Sequence, residues 1–371
     1  MAGYKVVISG YYGFRNAGDE AMLYAILRSL RQYFPDAETT VISGKPEETA
    51  RRFHTRAIPR FGGWAIFKSI LQCDLLISGG GSLLQDVTSS RSLLYYLSII
   101  LAGVVCRKKV FLYGQGIGPL RRKWVCSLLR RILSHVDAIT VRDEKSHRLL
   151  NTLGIQAPIY TTADSVLSLP QVSLEAGRDI LKQAGIPGDR PIIGISVRNW
   201  LDADRWTERF GRYLEKLKEE KVTVLFIPMQ WPEDNRMAEK ICQRGPECFH
   251  FLEGTFSAPE LMSIIGNLDL LVGMRLHALI FAALMHIPMI GISYDPKIDN
   301  FLREINQKSI FPISAFDEEK LYNRTKELLS EDRDSHCWKS VESLREKAEE
   351  TVRILQRVVK KWGGHDGKTD S

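Results

Sequence analysis

The chain has 371 residues, too many for one ordinary hydrophobic core, so two domains are expected. Its 44% hydrophobic and 26% charged content belongs to a globular protein rather than a disordered or membrane-spanning one. The net charge of +7, from 51 basic and 44 acidic residues, suits an anionic ligand or an anionic membrane surface. No DNA- or RNA-binding motif stands beside it, so no nucleic-acid partner is expected.

Strand-like runs bounded by turn residues open the chain: YKVVIS (4–9), TTVIS (39–43), CDLLIS (73–78), KVFLYG (109–114) and DAITV (137–141). Longer amphipathic segments such as 17–33 and 122–135 lie between them. The longest apolar run, 93–105, is too short to span a bilayer and reads as a buried helix. The alternation pauses at 167–176, then resumes with RPIIGISVRN (190–199), KVTVLFIPM (221–229), CFHFLEG (248–254), LDLLVGM (268–274) and IPMIGISYD (287–295). Strands alternating with helices imply parallel sheets covered on both faces. The fold class is therefore α/β, with two Rossmann-like doubly wound domains, 1–170 and 175–335, facing a cleft. Residues 336–362 read as an amphipathic helix (Leu344, Ala348, Val352, Leu355, Val359, Trp362) crossing back onto the first domain, and 363–371 as a disordered tail.

Six cysteines are scattered without C-x-x-C or Cys/His zinc spacing and read as buried or free thiols. MAGYK has neither the basic nor the apolar region of a signal peptide. A cytoplasmic protein is expected, peripheral at the inner face of the cell membrane through 61–72, where Trp64 and Phe67 flank Lys68. A buried helix is the other reading of that stretch. No metal-ligating cluster is visible, so neither a metal nor a resident cofactor is expected.

In a parallel α/β sheet the ligand loops follow the carboxyl ends of the strands, and the polar residues there are the candidates. After the first run, Gly10, Gly13 and Gly18 lack dinucleotide spacing, and Asn16, Asp19 and Glu20 crowd the next helix start. They are either caps or groups that bind a sugar's hydroxyls, with one carboxylate as base. In SGGGS, Gly79, Gly80 and Gly81 allow close backbone approach, and Ser82 is expected to open a helix. Gln115, in a glycine-rich loop, is expected to point into the cleft. Arg142 follows the fifth run and suits a carboxylate or phosphate, or an ion pair with Asp143. Arg198, Asn199 and Gln230 stand at strand ends of the second half.

The stretch GMRLHALIFAALMHIPMIGISYDPK (273–297) carries the sharpest conflict. Arg275 sits at the positive end of a helix, which costs stability unless an anion compensates, so a phosphate or carboxylate ligand is expected there. His277, one turn in, would have its pKa depressed by the same dipole and act as the protonic group. Lys297 follows the next strand and would join the same anion.

These motifs together, GYYGFRNAGDE, SGGGSLLQD, GQGIGP, VRDEKS, ADSVL and GMRLHALIFAA…GISYDPK, resemble the polysaccharide pyruvyl transferase family over roughly residues 4–300, in particular the cell-wall enzymes of the CsaB type. The resemblance implies a GT-B-like fold and a ketal-forming transfer of pyruvate from phosphoenolpyruvate, a co-substrate, to a sugar. For CsaB-like members the acceptor is N-acetylmannosamine of a lipid-linked secondary cell-wall polymer precursor, used for S-layer anchoring. It places the donor site on Arg142, His277 and Lys297, with Arg275 beside them; the strand-end reading adds Arg198 and Asn199 to donor binding, and the chemistry makes His277 the acid/base with Asp19 or Glu20 toward the acceptor. Asn16, Gly80, Ser82, Gln115 and Gln230 are left to the acceptor. A GT-B glycosyltransferase using a nucleotide sugar is the alternative.

Overall fold

The computed structural model describes residues 3–87, 89–199, 203–242, 249–307, 310–331 and 338–363. The expected tail lies outside the described residues from 364 on, as does the Trp362 side chain. The chain divides into two compact units. One comprises residues up to Phe14, Asp19–Leu169 and the chain from Leu344; the other comprises Arg15–Gly18 and Pro170–Ser343.

The first unit begins β1 (Lys5–Ser9), α1 (Ala17–Tyr33), β2 (Glu38–Ser43), α2 (Pro46–Phe53), β3 (Arg56–Pro59), α3 (Gly63–Gln72) and β4 (Leu75–Ser78). It continues β5 (Gly81–Leu84), α4 (Ser90–Val105), β6 (Lys109–Ile117), α5 (Lys123–Leu133), β7 (Ala138–Val141), α6 (Glu144–Thr152) and β8 (Ile159–Thr161). All pairings are parallel, in the order β3-β2-β1-β4-β6-β7-β8, with β5 beside β6. Because strand side chains alternate faces, β1 splits its apolar residues. Val6 and Ile8 pack with Leu23, Ile26 and Leu30 of α1, while Val7 faces Leu97 and Ile100 of α4 and Leu129 of α5. Ser82 does not open a helix as expected: 81–84 pair as a strand, Gly81 with Gln115 and Leu84 with Ile117. The backbone polar groups there are met by β6 instead of by a helical turn.

The second unit contains α7 (Glu175–Gln183), β9 (Ile192–Ser196), α8 (Ala203–Glu219), β10 (Thr223–Phe226), α9 (Glu233–Cys242), β11 (Phe249–Phe251), α10 (Ala258–Gly266) and β12 (Leu270–Gly273). Then come α11 (Leu276–Leu284), β13 (Met289–Ser293), α12 (Pro296–Glu304), β14 (Ile310–Pro312) and α13 (Glu318–Ser330). The sheet is again parallel, in the order β11-β10-β9-β12-β13-β14. Phe210 and Tyr213 of α8 and Leu321 and Leu328 of α13 cover one face together with Ile193, Ile195 and Leu270. In both sheets the order of strands reverses once, between β1 and β4 and between β9 and β12. At such a reversal the loops leave in opposite directions and open space for a ligand.

A last helix, α14 (Lys339–Gly363), returns to the first unit. Its Ile354, Leu355 and Val359 join the α1 side of that core, and Thr351 Oγ1 hydrogen-bonds Thr162 Oγ1 at 2.9 Å. The 93–105 run does form α4, but with one face exposed: Leu94, Leu101 and Val105 are 38%, 41% and 69% accessible. Four cysteines, Cys73, Cys106, Cys126 and Cys242, are free thiols; Cys248 and Cys337 lie outside the described residues.

Where α7 meets α10, Gly177 donates its N–H to Ser263 Oγ at 2.7 Å, and a Cβ at 177 would collide with the Ser263 carbonyl. Gly177→Ala is expected to lower the unfolding free energy of the second unit by about 1–3 kcal/mol, read by urea denaturation.

Candidate functional site

In the second unit the polar residues gather at the carboxyl ends of β10, β9, β12 and β13, around the reversal between β9 and β12. β12 ends at Gly273, and α11, LHALIFAAL, begins three residues on. Every residue of α11 is buried except His277 in its first turn. The imidazole lies against the backbone of Gly18, where any Cβ would collide with Nδ1. Only glycine at position 18 lets the chain pass this close to the ring. The segment around it is anchored within the same unit. Ala17 N–H donates to the Met229 carbonyl at 2.7 Å, and Asn16 bridges Gln230 in antiparallel fashion. Asn16 also accepts the Gly18 N–H at 3.0 Å with its side-chain oxygen, a local cap rather than a group presented to an acceptor.

The anion that Arg275 requires is built into the protein. Its guanidinium grips Asp234 of α9 through both Nε (3.1 Å) and Nη2, and reaches Gln230 Oε1 at 3.5 Å. Asp234 is 2% accessible and also accepts the N–H groups of Met229 (3.0 Å) and Gln230 (2.9 Å). Burial pushes the Asp234 carboxyl upward while Arg275 and the amide donors pull against it; four donors on one carboxylate fit the ionised form. The sequence reading looked for a ligand anion beside Arg275; within the protein the compensating charge is Asp234. Gln230 belongs to the same knot.

Lys297 and Arg198 are differently placed. Lys297 opens α12, its N–H capped by Asp295 Oδ1 at 3.0 Å and its ammonium 3.4 Å from Asp295 Oδ2. A third of its side chain is exposed, so its pair with Asp295 is screened and exchangeable. Arg198, just past β9, donates to Tyr294 Oη at 2.6 Å and lies 4.9 Å over the Tyr294 ring. Asn199 next to it is exposed. His277, Lys297 and Arg198 thus stand at the ends of three neighbouring strands.

In the first unit the residues divide sharply. Glu20 is 6% accessible and accepts the Gly13 N–H at 2.7 Å, with Phe14 N–H as a further donor. It holds the loop after β1 in place and is not presented as a base. Asp19, half-buried, lies beside Gly81, its Oδ1 3.4 Å from where a Cβ would stand. Gly80 is buried against Met22, and Ser82 is exposed at the rim. Gln115 does not point outward as expected. It is wholly buried and donates to Ser78 Oγ (2.7 Å) and the Gly79 carbonyl (2.8 Å), which fixes the glycine loop from behind. Arg142 donates to Asp164 Oδ2 at 3.2 Å and Ser82 Oγ at 3.0 Å, and Nε stands 3.7 Å from Asp143. Both readings of Arg142, a strand-end cation and an ion-pair partner, describe the same side chain. Asp234, Tyr294 and Asp295 escaped the sequence reading, and Gly18 entered it only as one glycine of the first loop. The carboxylates of WPED and SYDP gave the only signal for three of them.

Comparisons with known proteins give the family and the fold. The family description "polysaccharide pyruvyl transferase" matches residues 16–296. The chain belongs to the polysaccharide pyruvyl transferase family. Members are transferases, and the family places the chain in polysaccharide biosynthesis. A relative, the amylovoran biosynthesis protein AmsJ of Erwinia amylovora, is 19% identical over 362 residues, covering 81% of this chain and 86% of AmsJ. In fold the chain is similar to MnaA of S. aureus in complex with UDP (TM-score 0.66, 11% identity, 97% of each chain). It is also similar to the UDP-GlcNAc 2-epimerase of Methanocaldococcus jannaschii (TM-score 0.65, 12% identity, 95% and 99% covered). The architecture is the GT-B type, two parallel-sheet α/β domains. Among the described residues no group of His, Cys, Asp and Glu is arranged to hold a metal, and no helix is long and apolar enough to cross a membrane.

Two outcomes follow from the buried carboxylates. Asp234→Ala leaves Arg275 uncompensated in a buried place and is expected to destabilise the second unit by about 3–5 kcal/mol in chemical denaturation. Replacing Arg275 by Leu in the same chain should restore most of that loss. Glu20 has its pKa raised by burial, against the pull of the Gly13 N–H. The native state then holds a proton there that the unfolded chain has lost, so this group's stabilising contribution is full below the ordinary Glu pKa and fades as pH rises through the raised one. Glu20→Gln should flatten that part of the stability–pH curve while keeping the fold.

Proposed function

We propose that the chain transfers the pyruvyl group of phosphoenolpyruvate to two hydroxyls of a sugar, releasing phosphate and closing a cyclic 4,6-ketal. The acceptor in this reading is N-acetylmannosamine of a lipid-linked secondary cell-wall polymer precursor, and the pyruvylated polymer serves S-layer anchoring. The family supports the pyruvyl transfer, and the relative's name, amylovoran biosynthesis, supports a polysaccharide acceptor. The observation that carries the reading is the placement of His277: in a helix otherwise buried from end to end, one side chain is partly accessible, after a strand whose two neighbours are followed by Lys297 and Arg198.

The chemistry asks for those groups. Phosphoenolpyruvate bears a carboxylate and a phosphate, which call for fixed cations; Lys297 and Arg198 supply them, joined by the positive end of the α11 dipole. A proton is delivered to the methylene carbon while a sugar oxygen bonds to the adjacent carbon and loses its own proton. The resulting tetrahedral centre breaks its bond to the phosphate oxygen, and the second hydroxyl takes that place, its proton leaving with the phosphate. His277 supplies and recovers the proton. Arg275 acts as a positioning residue: its clamp on Asp234 holds the turn from which His277 projects. In the first unit, Asp19 and Ser82 are the proposed acceptor-side groups, since they are accessible while Glu20 and Gln115 are buried.

The test is an incubation with phosphoenolpyruvate and a panel of lipid-linked disaccharides, following phosphate release and product mass, with UDP-sugars as the competing donors. His277→Ala should lower turnover about a hundredfold or more while phosphoenolpyruvate still binds. Near-full turnover in that variant, or nucleotide release in place of phosphate, would sink the reading.

A further inference from the structure

The charge of this chain is concentrated in one stretch of it. Residues 49–136 carry fourteen Lys and Arg against two Asp, Asp74 and Asp86, a balance of +12. The whole chain balances at +7, so the remainder sums to −5. From Val87 to Val136 there is no carboxylate at all. The later part of this stretch lies on one side of the first sheet, where α3, α4 and α5 pack in sequence against the same core, while α2, with Arg51 and Arg52, packs through Phe53 on the other side. The side chains of Arg60, Lys68, Arg91, Arg107, Arg121, Arg122 and Lys123 have no carboxylate partner among the described residues, and all but the half-buried Arg60 are exposed.

The same face exposes large apolar side chains that a water-facing helix layer has no use for. Phe61 is 89% accessible, Trp64 75% and Val105 69%, with Phe67, Leu71, Leu94 and Leu101 at 38–46% and Trp124 on α5 at 50%. They follow helical spacing. Trp64, Phe67 and Leu71 form one stripe of α3, and Leu94, Leu101 and Val105 one stripe of α4. Between the two helices runs an apolar groove of about 360 Å³, floored by Ile66, Ile70 and Ile99. At its edge stands Arg60. Its guanidinium is 4.4 Å from the Tyr95 ring centroid and 5.2 Å from those of Tyr96 and Phe14, and its Nε is buried without a hydrogen-bond partner.

We propose that the α3–α4–α5 face of the first unit docks on the surface of a bilayer containing anionic phospholipid. Exposed aromatic and aliphatic side chains enter the headgroup–acyl boundary, and the unpaired cations meet lipid phosphates. A protein partner would need acidic side chains matched to each cation, whereas a lipid surface supplies mobile anions to all of them at once. The inference concerns lipid alone, and its test contains no sugar and no phosphoenolpyruvate, so it stands or falls apart from the proposed transfer.

The full chain is sedimented with vesicles of phosphatidylcholine containing phosphatidylglycerol, and with pure phosphatidylcholine vesicles, at low and high salt. Binding to the anionic vesicles that weakens with salt is expected. Lys68→Gln should lower partitioning about fivefold, and Phe61→Ser with Trp64→Ser at least tenfold. These side chains are exposed, so thermal melts of the variants should match the parent and separate lost binding from lost folding. Equal binding to both vesicle types, or binding that these variants leave unchanged, would overturn the proposal. So would a concentration-dependent dimer in sedimentation velocity that Trp64→Ser dissolves, because the face would then be covered by a second copy.

Discussion

A parallel strand can be followed by its parallel neighbour only after the chain has crossed back over the sheet, and the crossings here are mostly helices. That geometric requirement shapes both units. It buries the strands on two faces, which is why runs such as LLIS, AITV and LLVG are apolar or small throughout rather than alternating. It also sends every strand-to-helix loop to the same edge of its sheet. Polar residues that follow strands, scattered over some 300 positions of sequence, are thereby collected into two short arcs. Each arc is centred on the place where strand order reverses, and the candidate chemistry of each unit sits there.

Within those arcs, electrostatic compensation decides which side chains stay available. A carboxylate or guanidinium removed from water must be met by an opposite charge or several donors. Asp234 and Arg275 satisfy one another and two backbone N–H groups, so they build the turn and leave it neutral. Glu20 meets Gly13 and the amide of Gln115 meets Ser78 and Gly79, each stiffening a loop from inside. His277, Lys297 and Arg198 stand at the rim of the second unit, Lys297 paired with the partly exposed Asp295 and Arg198 with Tyr294. The same accounting fails on the α3–α4–α5 face, where cations outnumber carboxylates and apolar side chains stay wet.

Much of this was legible before any coordinates. The ten strand-like runs correspond to β1, β2, β4, β6, β7 and β9–β13, because apolar runs of that length between turn residues have few other uses. The missed strands are informative. β3 (RAIP), β8 (IYT) and β14 are short edge elements, and β5 (GSLL) continues from a glycine loop. Their strand state comes from pairing with a neighbour rather than from their own residues. The sequence reading expected a ligand anion beside Arg275, and the fold puts the Asp234 carboxylate there. A cation at the positive end of a helix does need an anion, but nothing in local sequence says that a residue 41 positions earlier provides it.

By itself, then, the order of residues determined the class of fold, two parallel α/β units, and the short roll of strand ends where chemistry could sit. Periodicity, glycine placement and helix capping are local properties, and a linear chain displays them. The tertiary structure alone decided which partner each charged side chain meets and how deeply the pair is buried. Pairing across sequence depends on where helices pack, as with Asp234 on α9 and Arg275 beside β12, or Glu20 on α1 and the Gly13 amide. Accessibility is likewise a property of the assembled layer: α4 reads as a core helix in sequence, yet one of its stripes faces water because no element of the fold covers it among the described residues.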